Sequence, residues 1–374
     1  MSSDSFVPVN TPLITGNERK YLNECIDTGW ISSEGPFVKK FEDKFANKVN
    51  RKHAIAVANG TAAIDIAVES LKIGRGDEVI LPSFTIISCI TQIVRSGATP
   101  VLVDSDINTW NMNVEQIESK ITSKTKAIIV VHIYGLPVDI DPILKIAKKY
   151  NLKIIEDAAE MIGQTYKGKP CGSFGDISTF SFYSNKHITT GEGGMVVTND
   201  DNLADNCREL RNLCFQPNKR FVHERLGWNY RMTNMQAALG LAQLEVLDSS
   251  IKKKRQMGSI YNQNFEDLIG LQLPLSTTSY AENIYWIYGI VLKEFNDFNS
   301  KDAMNKLHQK GIGCRPFFCP MHKQPFFKVK GLFINEKLPV SELLYQRGFY
   351  IPSGLGLKED EIYQVVEAVR EVFK

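Results

Sequence analysis

The sequence has almost no excess charge of either sign: 44 lysines and arginines face 42 aspartates and glutamates, for a formal net charge of +2. No overall field therefore favours nucleic acid, and an anionic ligand must be gripped by a dedicated local site. Long hydrophobic runs are missing too, since no apolar stretch reaches the length a membrane helix needs. The opening MSSDSFVPVNTPLI has neither the charged region nor the apolar stretch of a secretory signal, so a cytoplasmic location is expected. The seven cysteines, Cys25, Cys89, Cys171, Cys207, Cys214, Cys314 and Cys319, are odd in number and scattered. Reduced thiols are expected rather than a disulfide framework. Internal repeats and low-complexity tracts are absent as well.

What is present is an ordinary globular composition, 43% hydrophobic and 23% charged over 374 residues, long enough for a large domain and a smaller one. Between residues 53 and 200 short β-branched runs alternate with helical patterns, the signature of βαβ units and a mostly parallel sheet. The fold class is α/β. Strands are predicted at His53–Ala58, Glu78–Leu81, Pro100–Val103, Ala127–His132, Lys153–Glu156, Thr179–Tyr183 and Met195–Thr198, with amphipathic helices such as Ala62–Leu71 and Ile140–Tyr150 covering the sheet. One long helical pattern starts at Met235 and runs through the basic IKKKRQM stretch towards Leu268. It is read as the link between a large domain, residues 1–248, and a smaller α+β domain, residues 249–374. The four cations Lys252 to Arg255 on it read as a solvated helix face. A strand at Ile284–Leu292 and helices at Ser300–Lys310 and Glu359–Phe373 complete the second domain.

Three motifs carry chemistry. In AVANGTAAIDIAVESL a strand ends at Asn59-Gly60 and a helix begins at Thr61. Helix N-termini expose unpaired N–H groups, and a glycine lets an anion approach the backbone, so this is a phosphate site or simply a helix cap. In KIIEDAAE an apolar strand delivers Glu156 and Asp157 at its carboxyl end, the ligand-facing edge of an open α/β sheet. A carboxylate there can hold a cationic ring nitrogen, as pyridoxal phosphate requires, or can cap the following turn; Asp157 is the candidate. In FSFYSNKHITTGEGGMVVTND, Ser181 and Lys186 bracket a strand end. Lys186 is the candidate Schiff-base lysine, since a buried site favours its neutral, nucleophilic form. Glycines Gly191, Gly193 and Gly194 precede a strand instead of opening a helix, so they shape a turn and do not form a dinucleotide fingerprint. All three motifs fall at predicted strand ends and can converge on one edge.

The motifs NGTAA, EDAAE, FSFYSNK, TTGEGGMVVTND and GWNYRMTNMQAALGLAQLE resemble those of the fold-type I, pyridoxal phosphate-dependent nucleotide-sugar aminotransferases. The likeness covers nearly the whole chain, from TGWISSEGPFVKKFE to GIGCRPFFCPMH. It implies an enzyme that moves the amino group of L-glutamate to C4 of a nucleotide-linked 4-keto-6-deoxyhexose, a GDP-linked sugar foremost. It further implies that Gly60, Thr61, Ala62 and Ser181 hold the cofactor phosphate, Asp157 the pyridine nitrogen and Glu160 the region of the ring hydroxyl, with Lys186 as the catalytic lysine. Asn229 matches a residue that relatives insert from the neighbouring subunit, implying a homodimer, or a dimer of dimers, with shared sites. Trp30, Ser32 and Ser33 fall where relatives line the sugar pocket, and Arg315 and His322 in the variable nucleotide region. Two positions depart from the pattern. Ile86 stands where relatives often carry an aromatic that stacks on the ring; Phe84, on the same face of an extended segment, either takes that role or is an ordinary core residue. His187 beside the lysine is expected to pack or hydrogen-bond locally.

Other readings are a sugar dehydratase of the same fold, in which histidine replaces the lysine; another keto sugar or a small phosphorylated ketone as substrate; and a non-catalytic sugar-nucleotide sensor. His308, Cys314, Cys319 and His322 have the ligand types of a structural zinc, but their irregular gaps favour core thiols and a pocket histidine.

Overall fold

The computed structural model describes residues 6–216, 218–294 and 298–374. Thirteen strands are found among these residues, in chain order β1 His53–Val57, β2 Glu78–Pro82, β3 Thr99–Val103, β4 Thr125–Val131, β5 Lys153–Asp157, β6 Thr165–Tyr166, β7 Lys169–Pro170, β8 Ile177–Ser181, β9 Gly194–Thr198, β10 Leu271–Gln272, β11 Tyr288–Leu292, β12 Arg315–Pro316 and β13 Gly348–Ile351. Seven of them form one sheet in the order β1-β9-β8-β5-β4-β2-β3. Pairs β2/β3, β2/β4, β4/β5 and β5/β8 are parallel. Only β9 is reversed in this sheet, antiparallel to both β8 and β1.

The sheet interior is apolar on both faces, as parallel strands under helices require. Residues such as Ile55, Val57, Leu81 and Ile129 belong to one core, while Ala54, Ala56, Ile80 and Ile128 belong to the other. The predicted strands all exist with shifted bounds: β4 and β8 start two residues earlier than expected, the strand expected from Ile284 begins at Tyr288, and β8 ends at Ser181, so Phe182 to Lys186 form the loop that leaves the sheet.

A second sheet, β10-β11-β13-β12, is antiparallel and shares a third core with Tyr261, Phe265 and the C-terminal helix Glu359–Phe373. The single long helix expected from Met235 is instead two, Asn234–Glu245 and Leu247–Phe265. Val246 leaves helical geometry at φ −108° and its N–H turns back to Gln243 O. The break lets the first half pack against the N-terminal helices Glu18–Thr28 and Pro36–Lys48, while Met257, Tyr261 and Phe265 of the second half enter the third core. The expected division at 248/249 thus falls just inside the second helix. The chain start also reaches the smaller unit, where Val7 N–H donates to Gly311 O at 2.8 Å.

The basic run is not the solvated face expected of it. Lys254 is 3% exposed, and its ammonium donates to the carbonyls of Trp286 and Ser353. Lys253 donates to Leu357 O at 2.9 Å. These cations tie the second helix to the loops of the smaller unit, and only Lys252 of the three lysines is fully exposed.

Candidate active site

The carboxyl ends of β1, β4, β5 and β8 open onto a cleft of about 730 Å³, a size suited to a cofactor with part of a substrate. Alternation along β5 decides which acid faces it. Glu156 points to the opposite side, where it accepts from the backbone N–H groups of Phe174 and Gly175, from Ser178 and from His132. Burial opposes its charge, but His132 and the N–H donors outweigh that and keep its carboxyl below the ordinary range. Asp157, one residue on, lines the cleft. Its Oδ1 accepts from Ala159 N–H at 3.0 Å and its Oδ2 from the Cys89 thiol at 3.1 Å. Burial raises its pKa, partly offset by those donors and by the charges of Lys186 and His132.

Lys186 leaves the loop after β8, with its Nζ 4.0 Å from Glu160 Oε1 and 3.6 Å from the centre of the Trp286 ring. Burial lowers its pKa, against the pull of Glu160 and Asp157; this is the direction that frees an amine to act as a nucleophile or base. Glu160 is pushed up to about 8, chiefly by burial, with Asp157 adding to the push and Lys186 and the Tyr134 N–H opposing it. That N–H donates to Glu160 Oε2 at 2.6 Å from a residue held at φ +60°, a conformation uncommon outside glycine that concentrates at functional sites.

The helix Gly60–Ser70 begins at the cleft wall. Gly60 lies so close to Ser181 that a Cβ there would stand 2.8 Å from the serine Cβ, so glycine is required for this approach. Thr61 and Ser181 line the wall, with Thr61 Oγ1 2.8 Å from Ser88 Oγ. Ala62 also lines it, but its N–H is taken by the Asn59 cap at 2.8 Å, so the expected phosphate contact from Ala62 would not come from that amide. Thr179, buried beside Asp157 in the β5/β8 register, has a hydroxyl with no partner among the described residues. An N-terminal helix end with hydroxyls, a buried carboxylate, a depressed lysine and an unpartnered hydroxyl in one cleft fit the phosphate, ring nitrogen, aldehyde and ring substituents of pyridoxal phosphate.

The structure thus brings Gly60, Thr61, Ala62, Asp157, Glu160, Ser181 and Lys186 together. It does not bring in the rest of the expected residues. Asn229 is exposed, bridged through its backbone to Asn212 outside its own cleft. Trp30 is half-exposed, and the backbone oxygens of Trp30 and Ser32 accept from Asn234, with Ser33 beside them. Arg315 is exposed on β12, paired with Tyr350 of the cleft wall. His322 is buried with both ring nitrogens engaged, by Ser83 at 2.8 Å and Glu342 at 3.0 Å, so it has none left for a nucleotide. Among the described residues no group of three or more His, Cys, Asp and Glu side chains is placed to hold a metal ion.

The two departures resolve differently. Phe84 is fully buried against Tyr134, Phe317 and Phe318, and Ile86 lines the cleft, so of its two readings Phe84 takes the core role and not that of the missing aromatic. His187 is buried and faces Ile284 O; burial foremost, with the Lys254 charge, holds its pKa down at about 3. The lysine, not the histidine, faces the cleft. Sequence reasoning missed Cys89, Tyr134, Tyr183, Asn185, Tyr230 and Trp286. Only Cys89 left a local signal, at the helical spacing of four from Thr85.

The chain matches the model of the DegT/DnrJ/EryC1/StrS aminotransferase family over residues 12–370. It is 44% identical over 98% of its length to the GDP-perosamine synthase of Escherichia coli O157:H7, covering 99% of that protein. It is 43% identical to the GDP-perosamine synthase of Caulobacter vibrioides, over the full length of both. Among solved structures, the aminotransferase from Psychrobacter cryohalolentis superposes with a TM-score of 0.88 at 33% identity, covering 98% of each chain.

Proposed function

Since the chain belongs to the DegT/DnrJ/EryC1/StrS aminotransferase family, we propose that it transfers the amino group of L-glutamate to C4 of GDP-4-keto-6-deoxymannose, giving GDP-perosamine and 2-oxoglutarate. It is a pyridoxal phosphate-dependent sugar aminotransferase of fold-type I, with a keto sugar and an amino donor as its substrates. The observation that carries the sugar assignment is the full-length identity to GDP-perosamine synthases.

Pyridoxal phosphate, when bound, supplies a carbonyl that accepts an amine and a ring that withdraws electrons from the adjacent carbon. The chain's own residues do the rest. The start of the helix Gly60–Ser70, Thr61 and Ser181 would hold the phosphate, and the Asp157 carboxylate would accept from the protonated ring nitrogen. Lys186 would hold the cofactor's carbonyl group, and its Nζ, with its pKa lowered by burial, would serve as the base that moves protons beside it. Glu160, whose pKa burial pushes up to about 8, stands 4.0 Å from the lysine Nζ and can exchange a proton beside it. Trp286, Tyr134 and Phe318 wall the cleft with apolar surface and exclude water from these transfers.

The assembly is a homodimer, or a dimer of dimers, in which Asn229 reaches the partner's phosphate site; its exposure outside its own cleft supports this. We take residues 1–248 and 249–374 as the two domains and the cytosol as the location. Turnover compared on GDP-, UDP- and dTDP-linked 4-keto-6-deoxy sugars tests the substrate. A strong preference for GDP is expected; preference for a UDP or dTDP sugar would overturn the perosamine assignment and leave the aminotransferase intact.

A further inference from the structure

We propose that Cys89 is a positioning residue for Asp157: its thiol proton, donated to Oδ2, keeps the carboxylate ionised and oriented for the cofactor's ring nitrogen. This deepens the reading of Asp157 given above and rests on it.

Cys89 lies in the first turn of the helix Ser88–Arg95 and is fully buried. Its sulfur stands 3.1 Å from Asp157 Oδ2 and 3.3 Å from Thr85 Oγ1. Counting protons fixes the direction of both bonds. A thiol has one hydrogen and an ionised carboxylate has none, so Cys89 donates to Asp157, and the Thr85 hydroxyl must donate to the sulfur. With Ala159 N–H on Oδ1, each carboxylate oxygen holds one donor and keeps a further lone pair. The side chain is therefore locked in rotation, while still able to accept a hydrogen bond from a ring N–H.

The other titratable groups that face Asp157 are His132 on the loop after β4, Glu160 in the turn just beyond β5, and Lys186. None of them makes a hydrogen bond to it among the described residues, so Cys89 is its side-chain donor. In a buried setting a carboxyl reverts towards its neutral form unless donors hold its charge. Loss of the thiol would leave only the Ala159 N–H. The shared proton would then rest on Asp157 instead of the ring nitrogen, and the ring would withdraw electrons less well.

Two substitutions separate hydrogen bonding from packing. Cys89→Val fills the space without a donor, and Cys89→Ser keeps a donor at smaller volume. Each apoprotein is titrated with pyridoxal phosphate, and the 15N resonance of ring-labelled cofactor is recorded on the holoprotein. Cys89→Val is expected to raise the cofactor Kd about 10-fold and to move the resonance from the protonated towards the neutral position. Cys89→Ser is expected to stay within about 3-fold of wild type, with the resonance near the protonated position. If Cys89→Val does not fold, Cys89→Ala serves in its place with the same expectation. An unmoved resonance and unchanged Kd in the donor-less variant would overturn the proposal. Failure of the wild-type protein to bind the cofactor, or a neutral ring nitrogen in wild type, would instead overturn the reading of Asp157 itself.

Discussion

At the scale of residues, the proposed mechanism gives the central lysine and aspartate distinct chemical duties, and substitutions should separate them. Lys186→Ala removes the amine that captures the cofactor and shuttles protons, so turnover should fall by more than about 1000-fold, while circular dichroism and the melting temperature stay close to wild type. Asp157→Asn keeps the shape but cannot balance a ring cation. Its rate should drop on the order of 100-fold or more, with cofactor binding weakened less; near-normal turnover would mean that Asp157 only caps its turn through Ala159 N–H. Both residues were legible in the sequence because each sits where an apolar run ends, and strand alternation then turns Asp157, not Glu156, towards the ligand. Trp286 was not legible. It reaches Lys186 from a segment far along the chain, on a stretch predicted as strand that is irregular until Tyr288, and no local pattern encodes such a contact. His322 failed for the opposite reason: a histidine in a suggestive motif was satisfied internally by Ser83 and Glu342.

Among elements, the strand-to-helix turn at Gly60 and the kinked pair of helices around Val246 carry the strongest constraints. Gly60→Ala would put a methyl 2.8 Å from Ser181 Cβ, forcing strand and helix apart. A loss of roughly 1–3 kcal/mol of stability is expected, together with weaker cofactor binding, measured by urea unfolding and by titration of the apoprotein. The second helix carries Lys254, whose pKa is pushed down to about 7 by burial. In the unfolded chain that lysine keeps its proton to about 10.4, so between those values the unfolded state binds more protons and stability rises with pH. Wild type should therefore gain on Lys254→Met as pH rises from 7 to 10, by up to roughly 1.4 kcal/mol per pH unit. Equal pH slopes for the two proteins would contradict this. The strands and the main helices were readable from periodicity because each one's burial pattern is local. The helix break and the buried lysine were not, since both arise from packing against the distant loops at Trp286 and Ser353.

For the whole molecule, the near-neutral charge of the sequence calls for a local anion site, and the wall proposed for the phosphate is a helix start with hydroxyls, with Arg95 also lining the cleft. The proposed sharing of sites across a dimer makes a further prediction. Mixing inactive Lys186→Ala with an inactive Asn229→Ala variant should restore part of the activity, since one of the two sites in each heterodimer is intact, roughly a quarter of all sites on random mixing; an active monomer in sedimentation would contradict it. The account as a whole is tested most directly by incubating the holoenzyme with GDP-4-keto-6-deoxymannose and L-[15N]glutamate, then locating the label by NMR. It predicts 15N on C4 of the sugar and release of 2-oxoglutarate in equal amount. Label on another carbon, or no label in the sugar at all, would contradict it.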